Sequence, residues 1–444
     1  MTNAVSMKKW QTRIFAACFL AYTAAYICRV NFSVAIPGMQ ADLKLTNTAI
    51  GLIGTSFFWV YAIGQLVNGY LGDKFSSRTF ILTGLVISAF INVAFGYSVT
   101  LFFMILLWGA NGIFQSMLWG PLVKTLSHWF PSKRHNLIAF GMSITMIFGY
   151  LIAWGSSGVM MNAFGWRWVF WLAAIFVLAL AAVWYFMVRN KPSDVGLPNL
   201  PDEHDNKHAL TAEEIRDHKS YKTSLWKIIT GTNLVFVALT GITQGIVKDS
   251  ISLWSPKLLM DTQNLSLKST VAIILIIPAV NFAGIFLAGW LNRMLKSMEK
   301  LTILILMLGG AFASLGLMFF IHTSTMLSVL MLACTSAFMF GANPLMTTVI
   351  PLHYAYCGKV SAIAGFIDFT IYLGSGLAGV LTGLIVDLLG WDNVFVMWCV
   401  VSLLGALSMY LGIKRDRKTR QWAIRGRESN DGEQSCETRE AFTG

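Results

Sequence analysis

Long apolar runs broken by short polar stretches recur along the whole chain, twelve times in all. They cover residues 14–37, 48–72, 79–98, 100–127, 136–161 and 168–188, then 229–260, 268–292, 301–321, 325–350, 360–387 and 391–413. Each is long enough to carry a helix across about 30 Å of hydrocarbon. The pattern predicts an all-α integral membrane protein with 12 transmembrane helices. The longest polar interruption, residues 189–228, reads as a linker between two bundles of six helices, 14–188 and 229–413. Within it, Glu213 to His218 is expected to form a short amphipathic turn on the membrane surface. Residues 1–13 form a polar, basic start, and residues 414–444 a basic tail expected to be disordered.

Composition agrees with this division. The chain is 56% hydrophobic and only 12% charged, with a mean hydropathy of +0.63. Soluble domains carry about 25% charged residues. A net charge of +12 invites a nucleic-acid reading, but the excess sits in loops and termini. Lys8, Lys9 and Arg13 precede segment 1; Lys74 and Arg78 follow segment 2; Lys133 and Arg134 follow segment 4. Arg189, Lys191, Arg293, Lys296, Lys300, Lys414 and Arg415 continue the alternation, and the intervening loops are poor in bases. By the positive-inside rule both termini and the central loop are expected in the cytoplasm. No nucleic-acid motif, nucleotide-binding loop, metal-ligand spacing or nucleophile–base constellation is visible. The expectation is therefore no nucleic-acid partner, no cofactor and no enzyme.

What changes the picture is charge inside the apolar segments. Arg29, Lys248, Asp249 and Asp368 lie deep in segments 1, 7 and 11. A charge at the centre of a membrane helix costs about 2.5–3.5 kcal/mol on insertion, so it normally faces a bundle interior or a wet cavity. Arg29 cannot be neutralised, and its fork suits an oxyanion. Arg29 and Lys248 occupy segments that correspond in the two halves, and an anion between them would relieve their repulsion. Asp368 has three open roles: pairing with Lys248 in the empty protein, contacting a hydroxyl or amine of a ligand, or carrying a proton. Asp249 lies about 100° around the helix from Lys248, which favours a pairing or packing role. Helical phase adds Gln244 and Ser252 on the face of Lys248, Ser33 one turn beyond Arg29, and Gln115 with Trp119 on segment 4. Asn343-Pro344 predicts a bend in segment 10, with Asn343 turned toward the cavity.

The loop Gly69-Tyr70-Leu71-Gly72-Asp73-Lys74-Phe75-Ser76-Ser77-Arg78 resembles the signature loop of the major facilitator superfamily, with Gly289-Trp290-Leu291-Asn292-Arg293 as its degenerate echo. The resemblance implies two pseudo-symmetric six-helix bundles that rock about a central cavity. It also implies gating roles for Gly69, Asp73, Lys74 and Arg78, and Gly165-Trp166-Arg167 is a further superfamily sequence. More narrowly, Arg29-Val30-Asn31-Phe32, Phe114-Gln115, Trp119-Gly120-Pro121, Ser127-His128-Trp129, Lys191-Pro192-Ser193-Asp194 and Trp254-Ser255-Pro256 resemble the organophosphate:phosphate antiporter family. That likeness runs over residues 10–413. It implies that Arg29 and Lys248 grip a phosphoryl group. Where the glycerol-3-phosphate branch has a lysine and a histidine, this chain has Gln65 and Thr145, which makes glycerol 3-phosphate itself a poorer fit.

The expected function is therefore a secondary transporter that exchanges an organic phosphate for inorganic phosphate, as a monomer in the bilayer of a bacterial inner membrane. Two alternatives stay open: a proton-coupled organic-anion symporter, and a transporter-like sensor of sugar phosphates.

Overall fold

The computed structural model describes residues 2–131, 134–200, 233–353 and 360–440, apart from a few side chains within helices. Twelve helices are long and apolar enough to cross a membrane, and no strand occurs among the described residues. We number them α1 (Thr2–Leu43), α2 (Asn47–Lys74), α3 (Ser77–Tyr97), α4 (Leu101–Trp129), α5 (His135–Phe164) and α6 (Trp166–Met187). The second half holds α7 (Leu234–Gln263), α8 (Leu267–Met294), α9 (Glu299–Phe320), α10 (Thr325–Val349), α11 (Val360–Leu389) and α12 (Trp391–Glu440).

Prolines account for most of the irregularities. α4 breaks between Ser116 and Trp119, just before Pro121, and α8 breaks at Leu275, just before Pro278. Each ring clashes with the carbonyl four residues earlier, at the break. The bend that Asn343-Pro344 predicts takes the form of a π-helical turn, Leu345–Val349. Two ends differ from the hydropathy reading. α1 begins at Thr2, so the polar start is helical, and α12 continues to Glu440 where a disordered tail was expected. The segment after Lys414 contains no proline and is rich in Arg, Lys, Gln and Glu, good helix formers that extend a helix already nucleated in the membrane. Of the linker, residues 189–200 are described, with a 3-10 turn at Pro192–Val195; Glu213 to His218 lie outside the described residues.

The two halves repeat each other in detail. α5 and α11 both end on a glycine with positive φ, Gly165 (85°) and Gly390 (83°), each followed by a tryptophan that starts the next helix. Trp166 donates its Nε1–H to Asp42 at the end of α1, and Trp391 donates its Nε1–H to Asp261 at the end of α7, each at 3.1 Å. Arg167 and Lys257 complete the two corners with ion pairs of 2.6 and 2.8 Å. Arg29, Pro37 and Asp42 on α1 therefore correspond, at identical spacings, to Lys248, Pro256 and Asp261 on α7. The two deep cations occupy one structural position, repeated.

The halves meet most closely along α2 and α11. Asp387 accepts four hydrogen bonds from the start of α2: Asn47 N (3.1 Å) and Nδ2 (2.7 Å), Thr48 N (2.7 Å) and Oγ1 (2.6 Å). The carboxylate thus caps a helix N-terminus in the opposite half. Deeper in, a Cβ on Gly51 would lie 2.3 Å from the Gly379 carbonyl oxygen, so only glycines allow this crossing. Thr55 donates to the Gly376 carbonyl at 2.5 Å, and Trp59 to the Leu373 carbonyl at 3.2 Å. These contacts run from the α1–α2 turn down to Trp59. The molecule is sealed at that end.

Two substitutions test the seal. Asp387→Ala removes charge-assisted bonds at an exposed site and is expected to weaken closure by about 1–2 kcal/mol, a five- to thirtyfold shift in population. Gly379→Leu is expected to act in the same direction by forcing α2 and α11 apart. Maleimide labelling of a cysteine placed at Thr55 reads both, and should rise in each variant.

Candidate functional site

Arg29 lies below this seal, with its guanidinium among five rings. The centroids of Phe57, Phe58 and Tyr61 on α2 are each 5.2 Å away, Tyr372 on α11 is 5.7 Å away, and Tyr26 one turn back on α1 is 5.8 Å away. No carboxylate lies within ion-pair distance of Arg29, and its N–H groups have no hydrogen-bond acceptor among the described residues. Ring faces attract a cation by about 0.5–2 kcal/mol without neutralising it. The cage thus holds the charge in place and leaves its donors free.

The backbone behind Arg29 is fixed by a buried polar network. Asn111 Nδ2 on α4 donates to the carbonyl of Cys28 at 2.9 Å, and Asn31 donates to Asn92 on α3 at 3.0 Å. Ser88 Oγ donates to Asn111 at 2.6 Å and receives Gln115 Nε2 at 3.3 Å. Gln115, a candidate ligand residue by helical phase, is buried between α3 and α4 with its amide spent in this network. Thr145 is likewise buried, with its hydroxyl bonded back to the Met142 carbonyl on its own helix. Its position matches a family histidine, but its side chain is turned into a helix contact. Trp119 packs its ring 4.9 Å from that of Tyr22.

Lys248 enters from the opposite half. Its Nζ lies 3.4 Å from Asp249 and 6.0 Å from the centroid of Tyr372, the same ring that faces Arg29. Asp249 is buried and also receives the Ser375 hydroxyl on α11. Lys248 is thus paired with its sequence neighbour rather than with Asp368, and Asp249 is a helix-packing partner. Gln244, also buried, donates to the Met339 carbonyl at 2.8 Å and toward Asn343 Oδ1 at 3.4 Å, which joins α7 to α10. Ser33 receives Trp154 Nε1–H at 2.9 Å and donates to the Val30 carbonyl at 2.8 Å; Ser252 donates to the Lys248 carbonyl at 3.0 Å. Arg29, Ser33, Tyr150 and Ser252 line a cavity of about 30 Å³ between the halves, room for a water and not for an organic anion. A larger recess, about 150 Å³, lies between α1, α5 and α6; its lining is apolar apart from Ser156 and Ser157.

Asp368 sits on α11 one turn before Tyr372 and is partly accessible. It makes no ion pair or hydrogen bond among the described residues, although Lys248, Arg29 and Asp249 are near enough to act on its charge. Across the interface, Gln65 lies one turn beyond Tyr61 and donates to its hydroxyl at 2.7 Å.

The expected gating residues contact their own half. Arg78 donates to the Tyr185 carbonyl at 2.6 Å and lies 4.3 Å from that residue's ring, and Lys74 lies 4.2 Å from the Tyr70 ring. Gly69 has open space where a Cβ would stand, whereas one on Gly72 would meet Pro121 at 2.7 Å, so Gly72 is the glycine of close approach. The side chain of Asp73 lies outside the described residues. The cage residues Tyr26, Phe57, Phe58, Tyr61 and Tyr372 were not expected. Tyr26 alone carried a signal, since it shares a helix face with Arg29.

Comparisons with known proteins agree with this architecture. The sequence model of the Major Facilitator Superfamily matches residues 18–370. A probable hexose phosphate transport protein of Chlamydia pneumoniae is 26% identical over 412 residues, 88% of this chain and 88% of that protein. The membrane sensor protein UhpC of Salmonella typhimurium is 24% identical across 93% of this chain and 94% of its own, and the glycerol-3-phosphate transporter of Bacillus subtilis is 24% identical across 89% and 91%. Among solved structures, a bacterial homologue of the human lysosomal transporter Spinster, inward-facing and occupied, superposes with a TM-score of 0.72 at 14% identity, covering 91% of this chain and 97% of that one. A D-xylose–proton symporter gives 0.68 at 15% identity, with 90% and 95% covered. Two repeated six-helix halves meeting at a charged midline, and a family match over most of the length, place this chain in the major facilitator superfamily.

Proposed function

We propose that this transporter exchanges a phosphorylated organic metabolite for inorganic phosphate by alternating access. The observation that carries the reading is Arg29, a permanent cation held at the interface of the halves by rings and left without a carboxylate. A structural arginine in an apolar bundle would be paired, because an uncompensated buried charge is costly. An arginine that awaits an anion is left free.

In this reading a phosphate dianion is taken between Arg29 and Lys248 when the halves part enough to admit it, since the cavity at Arg29, about 30 Å³, holds only a water as it stands. The 3.4 Å contact of Lys248 with Asp249 is longer than a tight charge-assisted hydrogen bond, so the ammonium can turn to a ligand. The anion is then held by one cation from each half, so it binds best when the halves close around it. That difference in affinity is what a ligand needs to shift a conformational equilibrium. The basic loops set both termini in the cytoplasm. With that orientation the α2–α11 seal lies at the outer face. The relatives named as hexose phosphate and glycerol-3-phosphate carriers support the substrate class, and the bacterial origin of those relatives supports an inner membrane. The protein works as a monomer, since each chain carries both cations. The relative named as a sensor favours one competing reading, in which the same site binds and signals with little flux.

Reconstituted into liposomes loaded with phosphate, the protein should take up labelled phosphate in exchange. Arg29→Gln and Lys248→Gln are each expected to weaken apparent phosphate affinity by about 10- to 150-fold, the loss of hydrogen bonds to a charged group worth about 1.5–3 kcal/mol. Binding without exchange would transfer the assignment to a sensor, and neither binding nor exchange would remove phosphate as the ligand.

A further inference from the structure

Four charges lie deep in the described part of the bundle: Arg29, Lys248, Asp249 and Asp368. Lys248 and Asp249 are paired with each other. Arg29 and Asp368 are left, of opposite sign, one on each half, and neither has an ion pair or hydrogen bond among the described residues. Tyr372 neighbours both: its ring is 5.7 Å from Arg29, and it follows Asp368 by one helical turn. From this arrangement we infer that the transported organic phosphate is zwitterionic, a short aminoalkyl phosphate or phosphonate whose ammonium group is taken by Asp368. The inference rests on the phosphate site proposed above and names the substrate class of that site.

The sign of the charge decides between ligand classes. A plain phosphate ester satisfies Arg29 and Lys248 but brings its negative charge toward Asp368 without compensation. Hydroxyl groups on a sugar would accept or donate to a neutral amide as readily as to a carboxylate, and an amide carries far less desolvation cost. A carboxylate selects for a cation and against a second anion. Asp368 lies one turn from Tyr372 on the same helix, where Cβ atoms are about 5–6 Å apart, and the Tyr372 ring faces Arg29, so a short linker of two or three carbons is assigned between the two charged groups. Tyr61 and Tyr372, whose rings are 4.7 Å apart, offer faces for the methylene groups and the ammonium. Asp368 stands about one turn past Leu373, where the seal ends, on the side of the site away from the α1–α2 turn.

The test compares 2-aminoethyl phosphate with ethyl phosphate and glycerol phosphate, by ligand-induced thermal stabilisation of the purified full-length protein, with inorganic phosphate as reference. The expected result is that 2-aminoethyl phosphate binds at least about tenfold more tightly than ethyl phosphate, and that the ratio falls to near one in Asp368→Asn. If the variant does not fold, the wild-type ratio decides alone. Equal binding of the two esters by the wild type overturns the inference and leaves the phosphate site standing. Tighter binding of glycerol phosphate overturns it in favour of hydroxyl recognition. A ratio that survives in Asp368→Asn also overturns it, and frees Asp368 for proton transfer. Failure of every phosphate, inorganic phosphate included, removes the phosphate site and the inference with it.

Discussion

A guanidinium must stay charged in an apolar bundle and, on the function proposed above, must also stay available to a ligand. These demands conflict, because the cheapest way to bury a cation is to pair it with a carboxylate. The chain meets both with aromatic rings. Phe57, Phe58 and Tyr61 on α2 and Tyr372 on α11 surround Arg29 from both halves, so the cation depends on the halves being close. The rings in turn depend on the α2–α11 crossing. That crossing exists because Gly51 and Gly379 let two backbones touch and because Asp387 ties the start of α2 to the end of α11. Charge, cage and seal form one mechanical unit.

That coupling gives rocking a physical basis. Moving α2 away from α11 withdraws Tyr372 from Arg29 and exposes the cation to water at the other face. On the reading proposed above, an anion held by Arg29 and Lys248 would replace the lost ring contacts with stronger ones. The small cavity between Arg29 and Ser252 marks where the halves are pressed together with no ligand between them. The two cations are matched in position and opposite in treatment. Lys248 has a carboxylate beside it, while Arg29 has only rings, so the halves contribute unequal grips.

The architecture was legible because bilayer thickness imposes it directly: a run of apolar residues either spans or does not. The depth of Arg29, Lys248 and Asp368 was legible for the same reason, since a charge in such a run stands out. The internal repeat was only half seen. Gly165-Trp166-Arg167 drew notice, but Gly390-Trp391 did not, and the Asp42 and Asp261 corners join residues more than a hundred positions apart. Helical phase singled out Gln115 and the family resemblance singled out Thr145, yet neither says which neighbour lies beside the side chain. Ser88 and Asn111 took Gln115, and the Met142 carbonyl took Thr145. The cage escaped for a related reason. Aromatic residues are abundant in membrane helices, and nothing in the sequence separates Phe57 and Tyr372 from rings that face lipid.

Asp368 is the residue for which sequence and structure together say more than either alone. The sequence offers Lys248 as its counter-ion, and the structure gives Lys248 to Asp249 instead. An acid that loses its expected partner does not thereby become free to lie anywhere. It must be solvated, protonated or matched by something that arrives. Its place one turn from Tyr372 puts it within reach of whatever Arg29 holds. In a site whose other unpaired group is a cation, an acid on the facing half makes the empty protein electrically complementary to a dipolar guest. A ligand with both charges discharges both groups at once, and a ligand with one leaves the other stranded as the halves close. Under the inference drawn above, selection among organic phosphates would follow from the penalty of closing over an unmatched carboxylate.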